Sequence, residues 1–453
     1  MTVAELKHEE NYVVTGDIKI IERFWQVPLD YEQTGEGCEK IQLFGRSAVP
    51  VTKEKDNLPT IVYLQGGPGF ECSSPRSHPL TSFVHDKGYQ ILYLDQRGTG
   101  LSNPISADTV LQKGDRTSQQ ARWLSLFRAD NIVRDCEAVR KSLLGSKEKD
   151  EDKKWSLVGQ SFGGFTAVHY LSSHPEGLRE VFTTGGMPPL VDRPDDVYKV
   201  LYEKVKERNE TYYKKYPQDI KRVRDILKHL KENEVILPNG GHLTPRRFLQ
   251  LGLAFGGTGG LDGIHIIVLR AASELESTST LSYKLLQSIE QDQSFDGNPI
   301  YAILHESIYC QRARSDWSAN RLIKSHEEHF DYETLIEKPD DVPVYFTGEM
   351  VYPWMFIDYA ELRKLKPVAE HIAQIGDWPR LYDLEQLKKN TVPVNSAIYV
   401  EDMYVGFDLA RETAKAIGNH KVFVTNTMMH DAVRTKCNEV MGELFRLSKR
   451  VEG

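Results

Sequence analysis

Residues 159–163 of this chain, Gly-Gln-Ser-Phe-Gly, have the spacing of a nucleophile elbow centred on Ser161. They follow the apolar run WSLV and precede GGFTAVHYLSSH, a segment with the pattern of a helix. A serine hydroxyl is an effective nucleophile only when it is held in the open beside a base, and a strained strand-turn-helix connection does this. The helix N-terminus also brings backbone N–H groups near a developing oxyanion. The motif therefore predicts acyl-transfer chemistry at Ser161.

A glycine-rich segment after an earlier apolar run is the expected source of a second oxyanion donor. Residues 65–69, Gln-Gly-Gly-Pro-Gly, follow the run TIVYL. Glycines let the backbone approach a substrate closely, and the proline fixes the turn. We expect the backbone N–H groups of Gly67 and Phe162 to form the oxyanion hole. An ordinary tight turn is the alternative interpretation of residues 65–69.

A general base and its orienting acid are expected later in the chain, in the order Ser, Asp or Glu, His. His430 is the candidate base because it lies in the loop after the last apolar run, KVFVTN. Glu401 and Asp402 both follow the run NSAIYV. Asp402 is favoured as the acid, and the reverse assignment stays open. Asp431 is interpreted as a helix N-cap.

The pattern of apolar residues indicates which elements position these side chains. The first sixty residues are rich in β-branched and aromatic residues, which predicts antiparallel strands. Residues 130–144 carry apolar residues at spacings of three and four, which predicts a helix. Continuously apolar runs, typical of buried parallel strands, occur at 60–64, 90–94, 155–159 and 180–185. The alternation of strands and helices predicts an α/β doubly wound architecture with a mostly parallel sheet.

The alternation stops at about residue 188 and resumes at about 391. The intervening segment is mainly helical in pattern, as in DVYKVLYEKVKERNETYYKKY. The runs TVPVNSAIYV and HKVFVTN then predict two further strands. We therefore expect a discontinuous catalytic core, residues 1–187 and 391–453, with a mainly helical cap, residues 188–390, inserted into it.

The composition argues against several classes of protein. The net charge of −8, from 57 Lys and Arg against 65 Asp and Glu, argues against a nucleic-acid-binding surface. Five scattered cysteines form no CxxC pair, and no segment reaches the ~20 apolar residues of a membrane span. The N-terminal segment has no apolar signal sequence, and nothing resembles HExxH or a dinucleotide fingerprint. We expect a cytoplasmic protein with no metal, cofactor, nucleic-acid partner or membrane partner, and the oligomeric state stays open.

Several longer motifs resemble those of the prolyl aminopeptidases, also called proline iminopeptidases. The similar segments are QGGPG, LYLDQRGTGLSNP, GQSFGGF, EGLREVFTTGGMPPL, HESIYCQ, FTGEMVYPW, EDMYV and MMHDAVR, which together span nearly the whole chain. The resemblance implies a serine peptidase of the α/β-hydrolase fold, similar to the longer members of that family. Two departures are Gln65, where the small bacterial forms usually have His, and Met429, where a glycine usually precedes the histidine.

The resemblance also implies carboxylates in the cap that recognise a free N-terminal amine. Glu306, in HESIYCQ, and Glu349, in FTGEM, are the candidates. Such carboxylates would reject an internal peptide, which would leave them buried and unpaired. Tyr309, Tyr352 and Trp354 are candidates for the wall of a pyrrolidine pocket, with a place in the core of the cap as the alternative.

The leading hypothesis is hydrolysis of peptides with a free N-terminal proline through an acyl-enzyme, with Ser161, His430 and Asp402 as the triad. Two alternatives remain at this point. One is an esterase, amidase or tailoring hydrolase on the same fold, since a fold does not fix a substrate. The other is a binding protein without catalytic activity, which the joint presence of the three triad residues disfavours.

Overall fold

The computed structural model describes residues 2–33, 35 and 37–449. Within these residues, nine strands form one sheet. The strands are β1 (Glu5–Val14), β2 (Ile18–Pro28), β3 (Lys40–Pro50), β4 (Thr60–Leu64), β5 (Gln90–Asp95), β6 (Trp155–Gln160), β7 (Leu178–Thr184), β8 (Val394–Tyr399) and β9 (His420–Thr425).

The sheet has the strand order β1-β2-β3-β5-β4-β6-β7-β8-β9. The N-terminal strands β1, β2 and β3 pair antiparallel, and β3 pairs antiparallel with β5. All pairs from β5 to β9 are parallel. Strands β4, β6 and β8 are buried at every residue, as continuously apolar central strands require. The predicted antiparallel beginning and parallel centre of the sheet are confirmed.

α-Helices connect the strands from β4 onward. Those between β4 and β7 are α1 (Leu80–Asp86), α2 (Ala107–Leu111), α3 (Thr117–Ser125), α4 (Ala129–Leu144) and α5 (Phe162–Ser173). Those between β7 and β8 are α6 (Pro194–Lys215), α7 (Asp219–Glu232), α8 (Pro245–Leu249), α9 (Gly260–Thr278), α10 (Tyr283–Asp292), α11 (Pro299–Leu304), α12 (Ser318–Leu322), α13 (Glu327–Phe330), α14 (Tyr332–Leu335), α15 (Met355–Asp358), α16 (Lys366–Gln374) and α17 (Leu384–Lys388). The remaining helices are α18 (Phe407–Ala416), α19 (Ala432–Thr435) and α20 (Cys437–Ser448).

Helices pack on both faces of the parallel part of the sheet. On β4, Val62 and Leu64 contribute to an apolar cluster with residues of α4 and α5. Ile61 and Tyr63 point to the other face and contribute to a second cluster with residues of α1 and α20. This alternation follows from the two-residue period of a strand. The doubly wound α/β architecture predicted from the sequence is therefore confirmed.

The chain between β7 and β8, residues 185–393, is called the helical insertion below. In the part of the chain that the structure describes, it adds no strand to the sheet. Buried Arg128, at the N-cap of α4, ties the insertion to this helix, because its Nη1 donates to the carbonyl oxygen of Cys310 at 2.8 Å and its Nη2 to that of Pro379 at 2.6 Å. The division of the chain at residues 187 and 391 stays a prediction.

A second tie involves Asp431, which we predicted to be a helix N-cap. Asp431 does occupy the N-cap position of α19, but its side chain makes no capping hydrogen bond. Its carboxylate accepts instead from the hydroxyl of Thr258 at 2.7 Å and from the Thr258 backbone N–H at 3.2 Å. Asp431 thus links the loop after β9 to the helical insertion.

No helix among the described residues is both long and apolar enough to cross a membrane.

Candidate active site

Ser161 lies at the sharp turn between β6 and α5. Its backbone has φ 54° and ψ −126°, a left-handed conformation that is strained for a residue with a side chain. Hydrogen bonds hold the turn: the Ser161 N–H donates to the carbonyl oxygen of Thr184 at 3.1 Å, and the Ser161 carbonyl oxygen accepts from the Gly164 N–H at 2.7 Å. The predicted strand-turn-helix context of Ser161 is therefore present.

Close backbone packing around Ser161 explains the glycines of the motif. A Cβ atom on Gly163 would collide with the carbonyl oxygen of Leu64, at the end of β4. A Cβ on Gly159 would lie 2.5 Å from the carbonyl oxygen of Gly163. Because both obstacles are backbone atoms that cannot move aside, the turn can form only with glycine at these positions.

The glycine-rich segment after β4 lies directly against Ser161. A Cβ on Gly66 would lie 2.9 Å from the Cβ of Ser161. Gly67 has φ +136°, which a side chain would disfavour. Phe162 is the first residue of α5, and the first N–H groups of a helix have no acceptor within that helix. The N–H groups of Gly67 and Phe162 thus belong to two segments that meet at the serine.

His430 follows β9 and is bonded to Asp402, which follows β8. The His430 Nδ1 atom lies 2.7 Å from Oδ2 of Asp402, and both side chains are buried. The other carboxylate oxygen, Oδ1, accepts from the backbone N–H groups of Tyr404 at 2.9 Å and Val405 at 3.0 Å. With Nδ1 engaged by the carboxylate, Nε2 is the atom that His430 can offer to another group.

Electrostatics favour the charged form of His430. Burial by itself lowers the pKa of His430, but the negative charge and hydrogen bond of Asp402 outweigh burial, so that the pKa is raised above 6.5. An imidazole paired in this way can take up a proton and hold it as an imidazolium.

Glu401, the other acid considered from the sequence, points away from His430. Its side chain is 41% exposed and lies 3.5 Å from Nζ of Lys204, in α6. The geometry therefore brings Asp402, and not its neighbour Glu401, against the imidazole.

A cavity of about 330 Å³ opens above the elbow and brings the predicted residues together. Its lining includes Gly67, Ser161, His430 and Glu349. These come from segments that follow β4, β6 and β9 and from the helical insertion. Carboxyl ends of parallel strands meet at one edge of a sheet, where ligands of open α/β sheets bind. The aromatic residues that line this cavity are Phe70, Phe295, Tyr301 and Tyr404.

Tyr404 is a site residue that the sequence analysis missed. Its ring packs edge-on against the His430 ring, with 4.7 Å between centroids. Its hydroxyl donates to the carbonyl oxygen of Leu253, in the helical insertion. Tyr404 is the second residue after Asp402, so its position beside the predicted acid was the available signal.

Glu349 faces the cavity, and in the described part of the chain only one of its two carboxylate oxygens has a hydrogen-bond partner. Its Oε1 accepts from the Tyr301 hydroxyl at 2.6 Å. Burial raises the pKa of Glu349 to about 7, although the nearby His430 lowers it. A carboxylate that is poorly solvated gains strongly from a cationic partner. Glu349 is therefore suited to hold an ammonium group near Ser161.

Glu306 is buried and is not part of the lining of the cavity. Its carboxylate accepts from the backbone N–H groups of Ser318 at 3.1 Å and Ala319 at 2.9 Å, at the start of α12. Burial raises the pKa of Glu306 to about 7. Burial also raises the pKa of Tyr198, and the charges of Glu306 and Glu349 raise it further, so Tyr198 lies within range of both carboxylates.

The three aromatic residues considered for a pyrrolidine pocket pack elsewhere. Tyr309 and Tyr352 are buried in the apolar core, and the Tyr352 ring stacks on Trp354 with 5.5 Å between centroids. None of the three belongs to the lining of the cavity as the structure describes it. Their position favours the alternative given above, a place in the core of the insertion.

Gln65, the first departure from the family pattern, also lies at this cavity. Its Oε1 accepts from Nη2 of Arg434 at 2.9 Å, and both residues line the cavity. The side chain of Gln65 therefore binds Arg434, while the backbone of the adjacent Gly66 lies beside Ser161.

In the described part of the chain, no group of three or more His, Cys, Asp and Glu residues is arranged to hold a metal ion.

Comparison with known proteins gives relatives along the whole chain. Residues 59–239 match the family described as "alpha/beta hydrolase fold". The proline iminopeptidase aneH of Aspergillus aculeatus is 44% identical over 96% of this chain and 94% of its own length. A proline iminopeptidase of Aeromonas sobria is 38% identical over 97% of this chain and 98% of its own length. One from Neisseria gonorrhoeae is 27% identical over only 29% of this chain and 33% of its own length. The chain belongs to the proline iminopeptidase family and has the α/β-hydrolase fold.

Proposed function

We propose that this protein is a serine aminopeptidase that releases N-terminal proline from peptides through an acyl-enzyme. The observation that carries this proposal is the shared cavity, in which Ser161, His430 and Gly67 lie together with the half-buried carboxylate of Glu349. A nucleophile with a base accounts for hydrolysis, and an isolated carboxylate nearby accounts for a requirement for a free amine. In this proposal residues 188–390, which lie within the helical insertion, act as the substrate-recognition cap.

The first half of the reaction forms the acyl-enzyme. His430 Nε2 takes the proton of the Ser161 hydroxyl as its oxygen attacks the prolyl carbonyl carbon. The carbonyl oxygen becomes an oxyanion, to which the N–H groups of Gly67 and Phe162 donate. The C–N bond then breaks, and the protonated His430 gives its proton to the leaving amine. Asp402 keeps the imidazole in the required tautomer throughout, supported by its hydrogen bonds from the N–H groups of Tyr404 and Val405.

The second half hydrolyses the prolyl ester. A water molecule gives a proton to His430 and attacks the ester carbonyl, and the second oxyanion uses the same two donors. When the ester C–O bond breaks, the proton returns to Ser161 and proline leaves with its carboxylate. The sequence of steps needs no metal and no redox partner.

Glu349 is proposed to select substrates by their N-terminal charge. The free oxygen of its carboxylate would accept a charge-assisted hydrogen bond from the prolyl ammonium. A blocked N-terminus brings no charge and would leave the carboxylate buried and unpaired. Glu306 stays a predicted recognition residue, and because it does not line the cavity it would act by charge rather than by contact.

A panel of aminoacyl arylamides tests the proposal. The substrates are the arylamides of proline, alanine, leucine and N-acetylproline. We expect kcat/KM to be highest for proline and to fall at least a hundredfold for N-acetylproline, the difference expected when a buried charge loses its partner. Equal activity on the acetylated substrate, or on simple esters with no amine, would favour the esterase alternative.

A further inference from the structure

A second groove lies next to the active-site cavity and is lined by residues of the helical insertion and by Tyr404. It has a volume of about 430 Å³. Leu253, Asp292, Phe295 and Tyr404 line both the cavity and this groove, so the two are adjacent. The steps proposed above do not use the groove.

The far part of the groove is apolar and is formed by α9. Ile264 and Ile267 are buried in its wall, while Ile266 is 64% exposed at its margin. Gly263 also lines the groove, and a Cβ atom built on it would meet no atom within 4 Å. A helix that exposes isoleucine and glycine beside a cavity provides both apolar contact and free space for a ligand.

The position of Tyr404 indicates which part of a bound substrate would lie in the groove. Tyr404 packs against the His430 ring and lines the groove. In acyl transfer the histidine must give its proton to the leaving amine, so the leaving chain extends on the side of the histidine. The groove therefore continues the path of the residues that follow proline. This step rests on the proposed function.

Asp292 places a negative charge where the cavity and the groove join. Asp292 is exposed, its carboxylate has no hydrogen bond and no ion pair in the described part of the chain, and partial desolvation raises its pKa. Two carboxylates repel each other, and the partial desolvation of Asp292 makes this repulsion somewhat stronger than it would be in bulk water. An acidic side chain passing Asp292 would therefore be disfavoured.

We propose that this groove binds the residues that follow proline in the substrate, and that it selects peptides with apolar rather than acidic residues there. The occupant is the leaving peptide itself. The apolar wall of α9 favours leucine-like side chains, and Asp292 disfavours aspartate and glutamate.

Isosteric substrates separate the two parts of the proposal in the wild-type protein. The tripeptide amides Pro-Leu-Leu, Pro-Asn-Asn and Pro-Asp-Asp differ in polarity and charge but little in size, and prolinamide releases only ammonia. We expect kcat/KM for Pro-Leu-Leu amide to exceed that for Pro-Asn-Asn amide by about tenfold, the scale of a partly buried apolar contact. The value of kcat/KM for Pro-Asp-Asp amide should be several-fold lower than that for Pro-Asn-Asn amide. Equal values for all three would overturn the proposal.

Filling the groove tests its location. Gly263→Leu places a side chain in the free space and raises the helix propensity of α9. We expect the ratio of kcat/KM for Pro-Leu-Leu amide to that for prolinamide to fall about tenfold. The matched control is Gly442→Leu, another helical glycine with no atom within 4 Å of a built Cβ, in α20. An unchanged ratio in a Gly263→Leu protein that melts like wild type would overturn the proposed location.

Removing the charge tests the role of Asp292. Asp292→Asn should raise kcat/KM for Pro-Asp-Asp amide relative to Pro-Asn-Asn amide several-fold, and an unchanged ratio would remove Asp292 from the proposal. Failure of the groove is distinguishable from failure of the proposed function. If the wild-type protein cleaves prolinamide and all three tripeptide amides equally well, only the proposal about the groove fails. If it cleaves no prolyl substrate, the proposed function itself fails.

Discussion

Oδ2 of Asp402 lies 2.7 Å from Nδ1 of His430, while Oδ1 of the same carboxylate accepts two backbone N–H groups. The carboxylate is thereby fixed by the backbone and aimed at the ring. The carboxylate of Glu401, one residue earlier, instead lies near Lys204.

This difference predicts opposite outcomes for two neighbouring substitutions. Asp402→Asn should lower kcat roughly 10⁴-fold, because an amide at this position favours the wrong imidazole tautomer. Glu401→Gln should change kcat less than about threefold, since it removes only a surface ion pair. Steady-state kinetics on proline arylamide measure both. If Glu401→Gln proved the more damaging change, the roles of the two acids would have to be exchanged.

The activity should rise with pH through neutrality. The pKa of His430 is raised above 6.5, and burial raises that of Glu349 to about 7. The free enzyme needs neutral His430 as base and ionised Glu349 for the ammonium, so protonation of either group lowers kcat/KM. On the acid side, log kcat/KM against pH should approach a slope of 2 in the wild type and 1 in Glu349→Gln. A flat profile between pH 5 and 8 would contradict a histidine base.

Substitution of Glu349 should mainly lower kcat/KM, whereas substitution of Glu306 should mainly lower the stability of the fold. Glu349→Gln should lower kcat/KM for proline arylamide roughly ten- to hundredfold, as expected when a charge-assisted hydrogen bond of about 1.5–3 kcal/mol is lost. The substitution should also reduce the ratio of kcat/KM for proline arylamide to kcat/KM for N-acetylproline arylamide. Ser161 should still react with a small fluorophosphonate, which needs no amine.

Glu306→Gln should weaken kcat/KM less and destabilise the fold more. Both Glu306 oxygens accept backbone N–H groups, and glutamine would turn an NH₂ group toward one of them. An unsatisfied buried donor costs about 1–3 kcal/mol, which thermal unfolding would detect. Wild-type discrimination against acetylated proline in both variants would mean that neither carboxylate binds the amine.

The close packing of the elbow predicts a strong effect of one methyl group. Gly163→Ala should destabilise the protein by about 3 kcal/mol or more, because its Cβ would strike the carbonyl oxygen of Leu64. Gly442→Ala, at an open helical position, should be neutral or slightly stabilising. Urea unfolding of the two variants makes the comparison, and equal midpoints would show that the elbow tolerates a side chain.

The sequence predicted the parts of the site that follow from local patterns. Continuous apolar runs identify β4 and β6, and the small residues around the junction of β6 and α5 identify the elbow at Ser161. Such signals are local because buried strands and strained turns restrict the residues at each position.

The rest of the site depends on contacts between distant segments. Glu401 and Asp402 are adjacent, and only the path of the chain after β8 decides which of them meets His430. The walls of the cavity, Phe295 and Tyr301 among them, come from the helical insertion, whose packing is not encoded in a short motif. The Glu306 carboxylate bonds to residues twelve and thirteen positions later, so the sequence alone could not separate its role from that of Glu349.

The most direct test of the proposed mechanism is whether a fluorophosphonate labels Ser161 and whether Ser161→Ala abolishes turnover. Intact-mass and peptide mapping after fluorophosphonate treatment should give one adduct, on the peptide that contains Ser161, with a proportional loss of proline arylamidase activity. Ser161→Ala should take no label, melt like the wild type and lose kcat by a factor on the order of 10⁶. Retention of a tenth of the wild-type rate by Ser161→Ala, or inactivation through a label on another residue, would contradict the account.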